Sequence, residues 1–167
     1  MTNEAMQPKR RAALAAFGAS AMAALLAKPA TAADDDKSSK GNAAHEKQIT
    51  EVVTAFCQAW SGKDVEKLVP FISPEIEYHM FEGAPPIKGV DQFRERLGGF
   101  MARMKEINWE IFRSHAIGDL VINERIDHFI QAPGAKQPDN HFHIAGVFLV
   151  RDGKIAYWSD YRMPKNS

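Results

Sequence analysis

Leu120-Val121-Ile122-Asn123-Glu124-Arg125-Ile126-Asp127-His128-Phe129-Ile130-Gln131 alternates with a period of two. Val121, Asn123, Arg125, Asp127 and Phe129 share one face, and Ile122, Glu124, Ile126, His128 and Ile130 share the other. Such a stretch is predicted to be a strand. The segments 107–115, 140–151 and 155–162 read the same way. Gly118-Asp119 and Asp152-Gly153 between them have the chemistry of tight hairpin turns, and 132–139, with Pro, Gly and Pro, that of a longer hairpin loop. The C-terminal half is therefore expected to be a four-strand meander.

Outward from that meander the period changes. Over 45–60, Ile49, Val52, Val53, Phe56 and Trp60 follow helical spacing. A short helix is predicted over 64–71, broken by Pro74, with 76–81 extended. Gly83-Ala84-Pro85-Pro86 reads as a loop, and Gly89 precedes a helix expected over 90–104. No internal repeat is visible. Three helices followed by an antiparallel-rich sheet is an α+β layout, and long strands covered by helices on one face curl around a pocket.

The chain has 167 residues, 45% hydrophobic and 25% charged, which fits one globular domain and excludes collagen-like, disulfide-dense and disordered classes. Lys9, Arg10, Arg11 and Lys28 stand against Glu4 in residues 1–32, so the neutral total conceals a body that is net negative by three. A mildly acidic body without a basic stripe argues against nucleic acid as a partner. Lys9-Arg10-Arg11, the weakly apolar run 12–27 and Ala30-Thr31-Ala32 read as a cleaved export signal, with a loose twin-arginine character over 1–32. The run is too short to span a bilayer comfortably, so no stable membrane association is expected after processing. The destination would be a bacterial periplasm. Residues 33–44 are expected to be a polar linker, leaving 45–167 as the domain. The single cysteine, Cys57, has no disulfide partner within the chain and falls on an apolar helical stripe, which makes it a core thiol.

Two carboxylates and an arginine are the candidate chemistry. Arg125 and Asp127 point the same way about 7 Å apart along their strand, and Trp158, Asp160 and Arg162 share a face of the last one. One carboxyl kept protonated by apolar surroundings donates a proton to a leaving oxygen, while another, ionised, takes a proton from water. The same pattern also describes a structural Arg125–Asp127 ion pair with Asp160 at the surface, because Arg-x-Asp is common. His128, His141 and His143 fall on the face opposite Asp127, so no metal site is expected.

Asn123-Glu124-Arg125-Ile126-Asp127, Ala145-Gly146-Val147-Phe148, Gly153-Lys154-Ile155 and Trp158-Ser159-Asp160-Tyr161, with Glu77-Tyr78-His79 before a Pro-rich loop, resemble the limonene-1,2-epoxide hydrolase family over about 45–163. The resemblance implies a cystatin-like cone, shared with ketosteroid isomerase and SnoaL-type cyclases, with an internal pocket, a homodimeric habit, no cofactor and a small or medium hydrophobic epoxide as substrate. It implies Asp127 as the acid, Asp160 as the base on water, Arg125 as the bridge and Tyr78 as a holder of the water. Phe129, Phe142, Ile144, Trp158, Arg162, Met80 and Asn123 form the expected substrate-contacting set. Two positions depart from the family: Met80 stands where it usually has asparagine, and Arg162 where it generally has phenylalanine. A cone-fold isomerase or cyclase, and a non-catalytic pocket for an apolar ligand, are the competing readings.

Overall fold

The computed structural model describes residues 32–164. The export segment expected over 1–32 lies outside these residues except for Ala32. The first helix, α1 (Ala32–Ala59), buries Ile49, Val53, Phe56 and Cys57. Helix replaces the polar linker expected over 33–44. Once the apolar half of α1 is packed, adding helical turns to an existing helix is cheap, even where residues 41–44 stay exposed and bury nothing.

The helix expected over 64–71 is instead a series of 3₁₀ turns, at Trp60–Gly62, Val65–Lys67 and Val69–Phe71. Asp64 caps the middle one by accepting a hydrogen bond from the Glu66 N–H at 3.0 Å. Pro70, which has no N–H to give, sits at the start of the third. Strand β1 (Ile72–His79) starts earlier than expected and contains Pro74; its pairing register shifts between Ile72 and Glu77, where a missing N–H is tolerated. A two-residue strand β2 (Ile87–Lys88) pairs antiparallel with β1. Helix α2 (Gly89–Ala102) then buries Phe93, Leu97 and Met101, one face at four-residue spacing.

The meander follows as β3 (Met104–Ile117), β4 (Leu120–Gln131), β5 (Asn140–Arg151) and β6 (Lys154–Arg162). Asp152 and Gly153, with φ of 51° and 71°, make the tight turn before β6. The sheet order is β2-β1-β6-β5-β4-β3. Every neighbouring pair is antiparallel except β1–β6, which is parallel, so the sheet is mixed. It is curved and unclosed, and register shifts in β3 at Met104/Glu106 and Ile111/Arg113 mark bulges of the kind that bend a strand. The core lies where the helices meet the inner face. Phe56 of α1 meets the rings of Trp60, Phe71, Phe148 and Trp158 edge-on, with centroids 5.3–6.3 Å apart.

Candidate active site

Asp127 and Asp160 are not on adjacent strands. Register places Asn123 opposite Gly146 on β5, and Gly146 opposite Asp160 on β6, so Asp160 is level with Asn123 two strands away. Arg125 spans that gap. Its guanidinium passes over Gly146, the one position in the path without a side chain, where an added Cβ would overlap Nη1.

The arginine is fully buried, and each face of its fork is used. Nε and Nη2 donate to Oδ1 and Oδ2 of Asp127 at 2.7 and 3.2 Å. Nη2 also donates to Asp160 Oδ1 at 2.8 Å, and Nη1 donates to Asn123 Oδ1 at 2.9 Å. The Trp109 ring lies 4.3 Å from the guanidinium carbon. Asp160 receives two further donors: Trp158 Nε1–H to Oδ1 at 2.8 Å and Tyr78 O–H to Oδ2 at 3.3 Å. Tyr78 is held in turn by a stack on Trp158, with centroids 3.5 Å apart and planes 6° from parallel.

Burial sets the electrostatics. It pushes the Asp127 carboxyl up to about 7, with Arg125 opposing and the neighbouring Asp160 charge adding to the rise. Burial raises Asp160 too, against Arg125 and the hydrogen bonds from Arg125, Trp158 and Tyr78. Burial alone would lower Arg125, but the two carboxylates more than reverse it, so the guanidinium stays charged. Tyr78 is raised well above an ordinary phenol by burial and the Asp160 charge, which keeps its proton available as a donor. One cation between two coupled carboxylates holds one shareable proton near neutrality. Asp160 has three donors from three residues and Asp127 has only the arginine, so the anion is better supported on Asp160.

These groups close the floor of a cavity of about 230 Å³. Its walls are apolar: Trp60 of the first turn, Leu97 and Phe100 of α2, Trp109 of β3, Phe129, Phe142 and Ile144. Met80, Phe81 and Arg162 border the entrance and are exposed or nearly so. Of the expected contacts, Asp127, Asp160, Tyr78, Phe129, Phe142, Ile144, Met80 and Arg162 line the cavity. Asn123 and Trp158 do not, and both expectations are corrected. Asn123 sits behind Arg125, donating to Cys57 Sγ at 3.5 Å, and Trp158 sits beneath Tyr78 as a support for Asp160. Arg125 also works from behind the two acids. Trp60, Trp109, Leu97, Phe100 and Phe81 also line the cavity; in the sequence the first four carry only the helical stripe and strand alternation that mark core residues, and Phe81, exposed beyond β1, carries no such mark.

The remaining candidates fall away from the cavity. His79 bonds Glu77 at 2.8 Å, His128 bonds His141 at 2.7 Å and His143 bonds Glu124 at 2.8 Å. Among the described residues no group of three or more His, Cys, Asp or Glu is disposed to hold a metal. Cys57 is buried, and burial pushes its thiol up to about 12, which makes it a packing group rather than a nucleophile.

A family model described as a SnoaL-like domain matches residues 53–158. Among solved structures, the chain is similar to an LEH-like epoxide hydrolase of M. tuberculosis, at 27% identity over 71% of this chain and 85% of that one, with a TM-score of 0.63. It also resembles a protein with a ketosteroid isomerase-like fold from Catenulispora acidiphila (21% identity, 66% and 84% covered, TM-score 0.58). A cystatin-fold protein from Novosphingobium aromaticivorans superposes comparably (18% identity, 69% and 97% covered, TM-score 0.61). The last two likenesses establish the fold alone.

Proposed function

The chain belongs to the SnoaL-like family, and we propose that within it this protein is a cofactor-independent epoxide hydrolase. The observation that carries the reading is the single buried arginine forked between two buried carboxylates at the floor of an apolar cavity. The likeness to the LEH-like epoxide hydrolase supports it.

Asp160, ionised, accepts a proton from a water that Tyr78 helps to hold. The water oxygen forms a bond to an epoxide carbon as the carbon–oxygen bond of the ring breaks. Asp127, protonated, delivers its proton to the departing oxygen. A diol results, Asp127 is left ionised and Asp160 protonated, and exchange with solvent after product release restores the starting state. The proton on Asp127 belongs on Oδ2, whose bond to Arg125 is the longer of the two at 3.2 Å. The apolar walls favour an uncharged epoxide body and keep other water away from the reaction.

An isomerase of the same fold needs an oxyanion donor free to meet the substrate. The Tyr78 O–H is engaged by Asp160, so the donor in that reading is the protonated Asp127, with Asp160 as the base. The likeness to the LEH-like epoxide hydrolase favours hydrolysis.

Asp127→Asn and Asp160→Asn test the reading on a small apolar epoxide, with diol quantified and circular dichroism recorded beside it. Each substitution is expected to lower turnover by about 10²–10⁴-fold in a folded protein. Undiminished turnover in either variant, or no diol from the wild type, overturns it.

A further inference from the structure

Arg162 lies at the cavity entrance with no acid paired to it among the described residues. It follows Asp160 by two residues on β6 and so faces the same way, about 7 Å further along the strand. It lines the cavity, and its guanidinium carbon sits 4.4 Å over the ring of Phe142 on the cavity wall. The stack fixes the charged head at the rim. The ion pairs formed among the described residues leave Arg162 without an acid. Asp127 and Asp160, the carboxylates deeper in the cavity, are both bound to Arg125. Glu82 borders the same entrance without pairing to it.

Being exposed, the guanidinium pays no burial penalty there and needs no internal partner. What it does is put a cation on the lining of the cavity itself, which Glu82 does not reach. Arg125 balances one carboxylate, and with the other carrying its proton the floor is neutral. Arg162 then leaves the cavity as a whole positive. A neutral apolar substrate gains nothing from that charge, while a substrate with an anion at one end gains a partner at the rim.

We propose that Arg162 is a specificity-determining residue that selects an amphiphilic substrate, with an epoxide at the floor, a short apolar body along the walls and a carboxylate held at the rim. This deepens the hydrolase reading and rests on it. The carboxylate meets the planar fork of Arg162 in a pairing that an ammonium would not reproduce. Because this pair is exposed to solvent, it contributes modestly, at the scale of exposed ion pairs.

The test uses an alkanoic acid bearing a terminal epoxide and its methyl ester, which differ by little more than the charge. Wild type is expected to show a higher kcat/KM on the acid, and Arg162→Phe to lower the acid-to-ester ratio by about two- to fivefold. A second measurement does not depend on turnover. The saturated acid and its methyl ester are titrated against tryptophan fluorescence, since Trp60 and Trp109 line the cavity. Tighter binding of the acid, lost in Arg162→Phe, is expected. An acid-to-ester ratio that is the same in both proteins, in turnover and in binding, overturns the proposal, and diol formation from the ester leaves the hydrolase reading standing. Arg162-dependent binding of the acid with no diol from either epoxide overturns the hydrolase reading and leaves the anion site in place.

Discussion

Gly146 and Arg125 occupy the same space as nearly as two residues of a sheet are able to. Arg125 reaches Asp160 only because Gly146, on the strand between them, offers a bare Cα; a Cβ there would overlap Nη1 and stand 2.8 Å from Asn123 Oδ1 and Phe148 Cε2. The glycine is thus a steric condition for the bridge rather than a turn former.

Gly146→Ala is therefore expected to destabilise the protein by about 1–3 kcal/mol, the usual cost of overpacking a closed core. It should also displace Arg125 from Asp160. Urea unfolding measures the first effect and diol formation the second. Wild-type stability in this variant would remove the steric argument.

The pH dependence follows from Asp127. Its carboxyl is raised to about 7 in the fold against about 4 in an unfolded chain, so folding favours the protonated form. The resulting stability is complete below about pH 4 and is lost as pH climbs toward 7, with a slope of at most about 1.4 kcal/mol per pH unit from this group. The melting temperature is expected to fall over that interval and to fall less steeply in Asp127→Asn, with Asp160, also raised, responsible for the remainder. Turnover should decline as pH passes about 7, where the acid loses its proton. Thermal melts across pH 4–8 and a kcat/KM profile read both.

Trp158→Phe separates support of the base from support of the fold. Phenylalanine keeps a ring for Tyr78 to stack on but removes the N–H that reaches Asp160 Oδ1 at 2.8 Å. A hydrogen bond to a charged group is worth about 1.5–3 kcal/mol, so the pKa of the base should rise by about one to two units. The acidic limb of the kcat/KM profile is expected to move up in pH by that amount. A limb that stays in place would reduce Trp158 to packing.

The two-residue alternation of β4 and β6 made Arg125, Asp127 and Asp160 legible in the sequence, because alternation assigns a face. It does not assign depth. Asn123 shares the face of Arg125, yet the longer side chain lies over it and keeps it from the cavity. Trp158 shares the face of Asp160 but is buried beneath Tyr78. Trp60, Leu97 and Phe100 reach the cavity from other elements, and only the packing of helix on sheet brings them there. Two residues of β2 are too few for any period, and Pro74 looks like a breaker unless the register shift that accommodates it is known. Residues 33–44 carry no amphipathic stripe, so their helix follows from the one they extend.

The parallel β1–β6 junction divides the site by chain separation. Arg125 and Asp127 are two residues apart and meet within one strand, whereas Tyr78 and Asp160 are separated by 82 positions and meet only when the last strand docks between β5 and β1. Closing so long a loop is entropically slow compared with forming a hairpin. Asp160 thus meets Arg125 through two successive hairpins, whereas its contact with Tyr78 depends on the long closure between β1 and β6.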